Sequence, residues 1–155
     1  MSTDYPMLER QLISLLETER NFIANAANFA AFLYCEVEEV NWLGFYFLEN
    51  DSSLVLGPFA GRPACTRLPK GRGVCGKAVT QARTLIVDDV SAFDDHIVCD
   101  SASASEIVIP IFSQGRIIGV LDIDAPIKNR FTAADAAGLE RLVLRFIEHT
   151  NLPIP

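Results

Sequence analysis

Two apolar runs, Ile107 to Phe112 and Ile117 to Ile123, flank Ser113-Gln114-Gly115-Arg116. Runs rich in β-branched residues on either side of a glycine-containing turn predict an antiparallel hairpin. The tighter constraint lies in the acids at its open end. Glu106 begins the first run, and Asp122 and Asp124 close the second. Side chains two apart share a strand face, and a slip of one residue reverses every face. With a two-residue loop, Gln114-Gly115, Phe112 faces Ile117 and Glu106 faces Ile123, so Glu106 and Asp122 lie on opposite faces. With a three-residue loop, Ser113 to Gly115, the glycine supplies the left-handed residue and Phe112 faces Arg116. Glu106 then faces Asp122, with Asp124 next on the same face. We read the three-residue loop because it gathers the carboxylates at one end of one face. Ile107, Ile109, Ile111, Ile117, Leu121 and Ile123 then form an apolar reverse face. Carboxylates at the end of a buried strand are costly unless a cation or a proton is held among them.

The 155 residues, half of them hydrophobic, predict one domain with a substantial core. A net charge of −7 argues against nucleic acid and anionic membranes as partners. There is no run of about 20 apolar residues, and Met1 to Pro6 lacks the basic and apolar regions of a signal peptide. A cytoplasmic location is expected. Cys35, Cys65, Cys75 and Cys99 are then reduced at rest, and any disulfide among them is catalytic or redox-sensing.

Helical spacing opens the chain. Pro6 suits a first turn, Leu8, Leu12, Leu15 and Leu16 recur on one face, and Phe22, Ala26, Phe29 and Leu33 extend the pattern to about Val37. A bend is expected near Arg20-Asn21. Cys35, on this amphipathic segment, reads as a packing thiol. Asn41 to Leu48 is an aromatic strand, with Trp42, Gly44 and Tyr46 on one face and Leu43, Phe45 and Phe47 on the other. Gly44 either leaves a hollow for a small ligand or marks a close backbone contact. Leu54 to Phe59 is its partner strand, and Gly61 to Gly76 reads as irregular. A short helix follows from Val74 to Ala82, then a strand from Thr84 to Val87 and an acidic loop from Asp88 to Asp95. Thr132 to Asp135 has the spacing of a capping box and starts a helix over 132–149. Its buried stripe is Leu139, Leu142, Val143, Phe146 and Ile147. The order predicts an α+β domain with a largely antiparallel sheet, with N-terminal helices over 1–38, sheet and pocket over 41–124, and the C-terminal helix after them.

The cysteines carry the chemistry. No Cys-x-x-Cys is present, and spacings of ten and twenty-four between Cys65, Cys75 and Cys99 fit no usual zinc pattern. Convergence of those three thiols with His96 on a metal is the alternative. Gly71, Gly73 and Gly76, without a following Lys-Ser/Thr, are weak evidence for phosphate binding. Cys65 and Cys99 lie in polar loops where a disulfide can form and break, which favours a redox role over incidental packing. Cys75 opens a helix amid Arg62, Arg67, Lys70 and Arg72, so a lowered thiol pKa is expected there. His96 either activates Cys99 or is a solvated loop histidine.

Gly57-Pro58-Phe59, Ala64-Cys65-Thr66-Arg67, Gly71-Arg72-Gly73-Val74-Cys75-Gly76, His96-Ile97-Val98-Cys99-Asp100, Ser105-Glu106-Ile107-Val108 and Gly119-Val120-Leu121-Asp122-Ile123-Asp124 occur in that order. Together they resemble the free methionine-(R)-sulfoxide reductases, small enzymes built on a single GAF domain. The resemblance covers nearly the whole chain. It implies a six-stranded antiparallel sheet with the terminal helices on one side and a ligand pocket under loops on the other. It further implies a thiol-dependent oxidoreductase that acts on the free amino acid, in repair of oxidised methionine and defence against oxidative stress. Cys99 takes the position of the attacking cysteine, Cys65 that of the resolving one, and Cys75 that of a third whose role is open. Trp42, Tyr46, Glu106, Asp122 and Asp124 match substrate-binding positions. No metal or organic cofactor is implied. Electrons would come from thioredoxin or a similar dithiol, and a homodimer is a further expectation. The alternative is a non-catalytic GAF sensor of a small ligand or of redox state, against which three carboxylates make a poor cradle for phosphate.

Overall fold

The computed structural model describes residues 2–99 and 101–153. Asp100, at the end of the motif around Cys99, lies outside the described residues. Three long helices, α1 (Tyr5–Leu16), α2 (Phe22–Glu36) and α4 (Ala133–Glu148), and the short α3 (Gly73–Gln81) accompany six strands. These are β1 (Trp42–Leu48), β2 (Ser53–Gly61), β3 (Arg67–Pro69), β4 (Leu85–Val87), β5 (Ser105–Ser113) and β6 (Arg116–Ala125). The sheet order is β3-β2-β1-β6-β5-β4, and every neighbouring pair is antiparallel. This is the expected α+β architecture. Among the described residues no helix is long and apolar enough to cross a membrane.

The helices start where their caps dictate. Asp4 accepts from the Met7 N–H with Pro6 in the first turn, and Asn21 accepts from the Ala24 N–H, which ends the bend expected near Arg20. Thr132 and Asp135 form the reciprocal capping box. Asp135 also accepts from the Tyr5 hydroxyl at 2.7 Å, and Glu9 accepts from Arg141 and Arg145 at 3.1 and 3.0 Å, clamping α1 onto α4.

Each sheet face has its own core. Leu43, Phe45, Ile107, Ile109, Ile111, Leu121 and Ile123 pack with Leu12, Phe29, Leu33, Leu142 and Phe146 from the long helices. Trp42, Tyr46, Val108 and Val120 face the other way, onto Val74, Cys75, Ala78 and Val79 of α3. Alternation along β1 follows the pattern in its sequence.

The hairpin register differs from the one expected. Gln114 and Gly115 alone form the loop, with φ of 52° and 78°, so both central residues are left-handed as a two-residue hairpin turn requires. Ser113 pairs with Arg116 and Phe112 with Ile117, but Ile111 pairs with Gly119, leaving Ile118 as an extra residue on β6. This bulge shifts the ladder by one, so Glu106 pairs with Asp124 and Val108 with Asp122. Glu106 and Asp122 still share a face, on account of the bulge rather than a three-residue loop. The bulge also exchanges two isoleucines. Ile118 joins the helix-side core, and Ile117, expected there, packs on the α3 side.

Other details depart from expectation. Cys35 is exposed, so it is not a packing thiol. β3 lies inside the stretch Gly61 to Gly76 that reads as irregular, and a three-residue strand is too short to show a period. No hollow exists at Gly44. A Cβ there would stand 2.3 Å from the Phe59 Cβ and 2.7 Å from Cη2 of Trp42, so the glycine marks a close approach. Gly44→Ala is therefore expected to overpack this contact and lower stability by about 1–3 kcal/mol. Urea unfolding checks this, with a lower midpoint at unchanged slope. An unshifted midpoint would mean that Phe59 moves aside freely.

Candidate active site

Strands β1, β5 and β6 present their second face to a small cavity of about 40 Å³, roofed by α3 and by the loops around Ala64 and Cys99. Trp42 and Tyr46, two apart on β1, form one wall with ring centroids 5.9 Å apart. Trp42 also stacks on Phe59 at 5.4 Å. The polar ends of both rings point at the same loop. Trp42 Nε1 donates to the Arg62 carbonyl at 3.0 Å, and the Tyr46 hydroxyl donates to the Cys65 carbonyl at 2.8 Å. Both rings thus line the cavity and give their donors to the backbone that carries Cys65.

The floor is acidic. Glu106 and Asp122 are both buried, Asp124 is half-buried beside them, and one oxygen each of Glu106 and Asp122 lies with the Cys75 sulfur in a group whose members are all within 4.8 Å. One buried oxygen of Asp122, Oδ1, has no hydrogen-bond partner. Burial pushes the Glu106 carboxyl up to about 8, and the charge of Asp124 adds to this. Asp122 is driven well above its usual range by burial and then by Glu106. Two carboxyls this close cannot both ionise cheaply, so the pair retains a proton at neutral pH. The Tyr46 hydroxyl is raised as well, by burial and by the charge of Asp122.

Cys75 corrects the expectation of an activated thiol. Burial, then the charges of Asp122, Glu106 and Asp124, raise it well above its usual value, so it stays protonated. The nearby basic residues do not reverse this: Arg67 is engaged by Glu49, and the Arg72 guanidinium is 3.2 Å from Asp95. His96 Nε2 stands 3.6 Å from Glu106 Oε1. Burial lowers the imidazole below its usual value, so at neutral pH this contact joins a neutral ring to the acids and is not an ion pair.

At the mouth of the cavity a disulfide joins Cys65 to Cys99, with Cα atoms 5.6 Å apart across 34 residues of sequence. Cys99 lines the cavity and is also open to solvent, while Cys65 is half-buried. Cys35 and Cys75 are free. The structure therefore brings Trp42, Tyr46, Cys75, Cys99, Glu106, Asp122 and Asp124 around one cavity, with Cys65 bonded at its rim.

A GAF domain model matches residues 11–147. The chain is 50% identical over 139 residues to the free methionine-R-sulfoxide reductase of Escherichia coli (strain K12), covering 90% of this chain and 84% of that one. The chain belongs to the GAF-domain family of free methionine-R-sulfoxide reductases. A structure of the Staphylococcus aureus member (fRMsr) in its reduced form matches with a TM-score of 0.91 at 48% identity, over 96% of each chain. The Neisseria meningitidis free methionine-R-sulfoxide reductase in complex with its substrate matches with a TM-score of 0.90 at 44% identity, over 94% of this chain and 87% of that one.

Two features of the site in this family member escape sequence reasoning. Phe59 backs the Trp42 ring, a contact that the Gly57-Pro58-Phe59 motif does not reveal and that only the clash-prone Gly44 opposite it in the strand pairing signals. His96 touches an acid of the floor, which a loop position cannot reveal.

The raised carboxyls couple stability to pH. Glu106 binds its proton more tightly folded than unfolded, so its contribution is complete below its ordinary value near 4.5 and is lost as pH rises through about 8. His96 has the opposite slope below its ordinary 6.5. Denaturant unfolding of the wild type at pH 5, 6.5 and 8 is expected to show stability falling toward pH 8, with Glu106→Gln flattening that fall. A Gln variant with the wild-type slope would place the retained proton elsewhere.

Proposed function

We propose that the protein is an enzyme that reduces free L-methionine-(R)-sulfoxide to methionine, serving repair of oxidised methionine and defence against oxidative stress. The observation that carries this reading is the Cys65–Cys99 disulfide at the mouth of a cavity floored by protonated acids. A sulfoxide sulfur becomes electrophilic as its oxygen is protonated, so the reaction needs a thiolate and a nearby acid that still holds its proton at neutral pH. The Glu106–Asp122 pair meets the second need, and Cys99, the thiol on the loop above it, meets the first.

In the proposed cycle the Cys99 thiolate attacks the sulfoxide sulfur as the carboxyl pair protonates its oxygen, and the hydroxyl then passes to the Cys99 sulfur as both the S–O bond and the new S–S bond to the substrate break. Methionine leaves with the electron pair, and the oxygen stays on Cys99 as a sulfenic acid. The Cys65 thiol then displaces that oxygen as water and forms the disulfide. An external dithiol such as thioredoxin resets both cysteines by exchange, entering through the exposed Cys99. Cys75 takes no part in exchange because its thiol stays protonated.

Substrate orientation follows from the same walls. Trp42 and Tyr46 enclose the S-methyl end, and the ionised carboxylates, Asp124 among them, hold the α-ammonium. In the disulfide-bonded state Cys99 has no thiolate with which to attack. Productive binding therefore follows reduction.

Turnover of R and S epimers with thioredoxin, its reductase and NADPH tests the reading, and consumption of neither would overturn it. Cys99→Ser is expected to abolish turnover. Cys65→Ser is expected to release one methionine per chain in a single-turnover experiment and then stall with thioredoxin. Full steady-state cycling by Cys65→Ser would assign resolution to Cys75.

N-acetylation of the substrate removes the ammonium and leaves the sulfoxide. A lost hydrogen bond to a charged group costs about 1.5–3 kcal/mol, and the unpaired acids add to it. A fall in kcat/KM of at least ~100-fold is expected. Equal values for the two substrates would restrict the acids to proton donation and readmit peptide-bound methionine sulfoxide.

A further inference from the structure

The floor of the cavity has a composition that neither proton donation nor ammonium binding requires. A thiol and two carboxyls converge there, with an imidazole beside one of the carboxyls, and the first three residues are only 4%, 6% and 6% exposed. Recognition of an ammonium is served by oxygen alone. Sulfur and nitrogen beside oxygen make a donor set for a borderline-soft divalent ion, whereas calcium and magnesium favour oxygen ligands.

Distances agree with this. Bonds of about 2.3 Å to sulfur and about 2.0–2.2 Å to nitrogen or oxygen put the donors of a tetrahedral zinc site roughly 3.5 Å apart. His96 Nε2 and Glu106 Oε1 already stand at 3.6 Å. The Cys75 sulfur and one oxygen each from Glu106 and Asp122 lie within 4.8 Å of one another, so zinc binding draws them closer together, and His96 Nε2 stands outside this group. A second observation is Asp122 Oδ1, a buried carboxyl oxygen on the cavity floor that accepts no hydrogen bond among the described residues. Such an oxygen is retained at a cost unless something binds it.

We propose that this floor is a reversible Zn²⁺ site formed by Cys75, Glu106 and Asp122, with the fourth position left to water or to the neighbouring His96. Binding exchanges the Cys75 S–H bond for an S–Zn bond and expels the thiol proton and the proton shared by the carboxyls. No oxidation or reduction is involved. Neither Cys65 nor Cys99 is a ligand, so disulfide formation consumes none of the donors. Because the metal takes the acids and the space between them, it excludes substrate, and zinc acts as a competitive inhibitor. The inhibition rests on the function proposed above, and the metal site does not.

Cobalt(II) is the probe, since thiolate ligation gives it a near-ultraviolet charge-transfer band and tetrahedral geometry gives intense visible bands. The titration uses the oxidised full chain, without a polyhistidine tag and with Cys35→Ser, so that Cys75 is its one free thiol. Both sets of bands are expected to appear, saturate at one cobalt per chain, and vanish on addition of equimolar zinc. Cys75→Ser in that background is expected to abolish the charge-transfer band, and Asp122→Asn to weaken cobalt binding by about 100-fold or more. Circular dichroism and the retained disulfide certify the fold of each variant. Absence of a thiolate band in the parent, or its survival in Cys75→Ser, would overturn the site whatever the folding of Asp122→Asn. In turnover assays zinc is expected to raise KM for free methionine sulfoxide at unchanged kcat. Turnover without cobalt bands leaves the reductase and removes the metal site. Cobalt bands without turnover do the reverse.

Discussion

Burying acids on the pocket face of β5 and β6 is the constraint on which the rest of the molecule depends. Glu106 and Asp122 are taken almost wholly out of water, and an ionised carboxyl so placed costs several kcal/mol even after relaxation. The same two strands meet that cost on their other face. Ile107, Ile109, Ile111, Leu121 and Ile123 bury fully or nearly so against the long helices, each with about 1.5–3 kcal/mol of favourable transfer. The shared proton supplies the remainder by keeping the pair from double ionisation. Sheet, helices and protonation state therefore form one arrangement, in which the helix-side core allows the acidic floor.

A second linkage runs from the sheet to the loops. Trp42 and Tyr46 stand on a rigid strand paired on both sides, yet their donors hold the Arg62 and Cys65 carbonyls. The position of Cys65 is thus set by the same rings that shape the cavity. Among the described residues, the Cys99 loop is held by the disulfide itself and by contacts such as Lys77 with the Asp94 carbonyl and Arg72 with Asp95. One sulfur is anchored to the scaffold, and its partner rides on a loop.

The long helices, the two faces of β1 and the cap of the last helix were legible in the sequence because each rests on local pattern: helical spacing, alternation, a Thr132–Asp135 box. The gathering of the acids on one face was legible as well, but its cause was not. A chain read residue by residue shows a glycine at 115 and one plausible left-handed position, whereas the structure also places Gln114 there and recovers the face with a bulge at Ile118. Bulges leave no periodic trace. The state of Cys75 misled for a related reason: its charged neighbours in sequence are cations, but its neighbours in space are carboxylates on strands more than thirty residues away. β3 and the Phe59 contact depend on tertiary pairing alone.

The disulfide at the cavity mouth spans 34 residues, and on the proposed cycle it is made and broken once per turnover. A cross-link closing a loop of that length removes chain entropy from the unfolded ensemble worth roughly 3–4 kcal/mol, in the loop-closure account. That is a sizeable share of the 5–15 kcal/mol by which domains are usually stable. The working enzyme therefore alternates between a sturdy form and a fragile one. The fragile form is the one ready for substrate, and a cell starved of reducing equivalents leaves the protein in its longer-lived state.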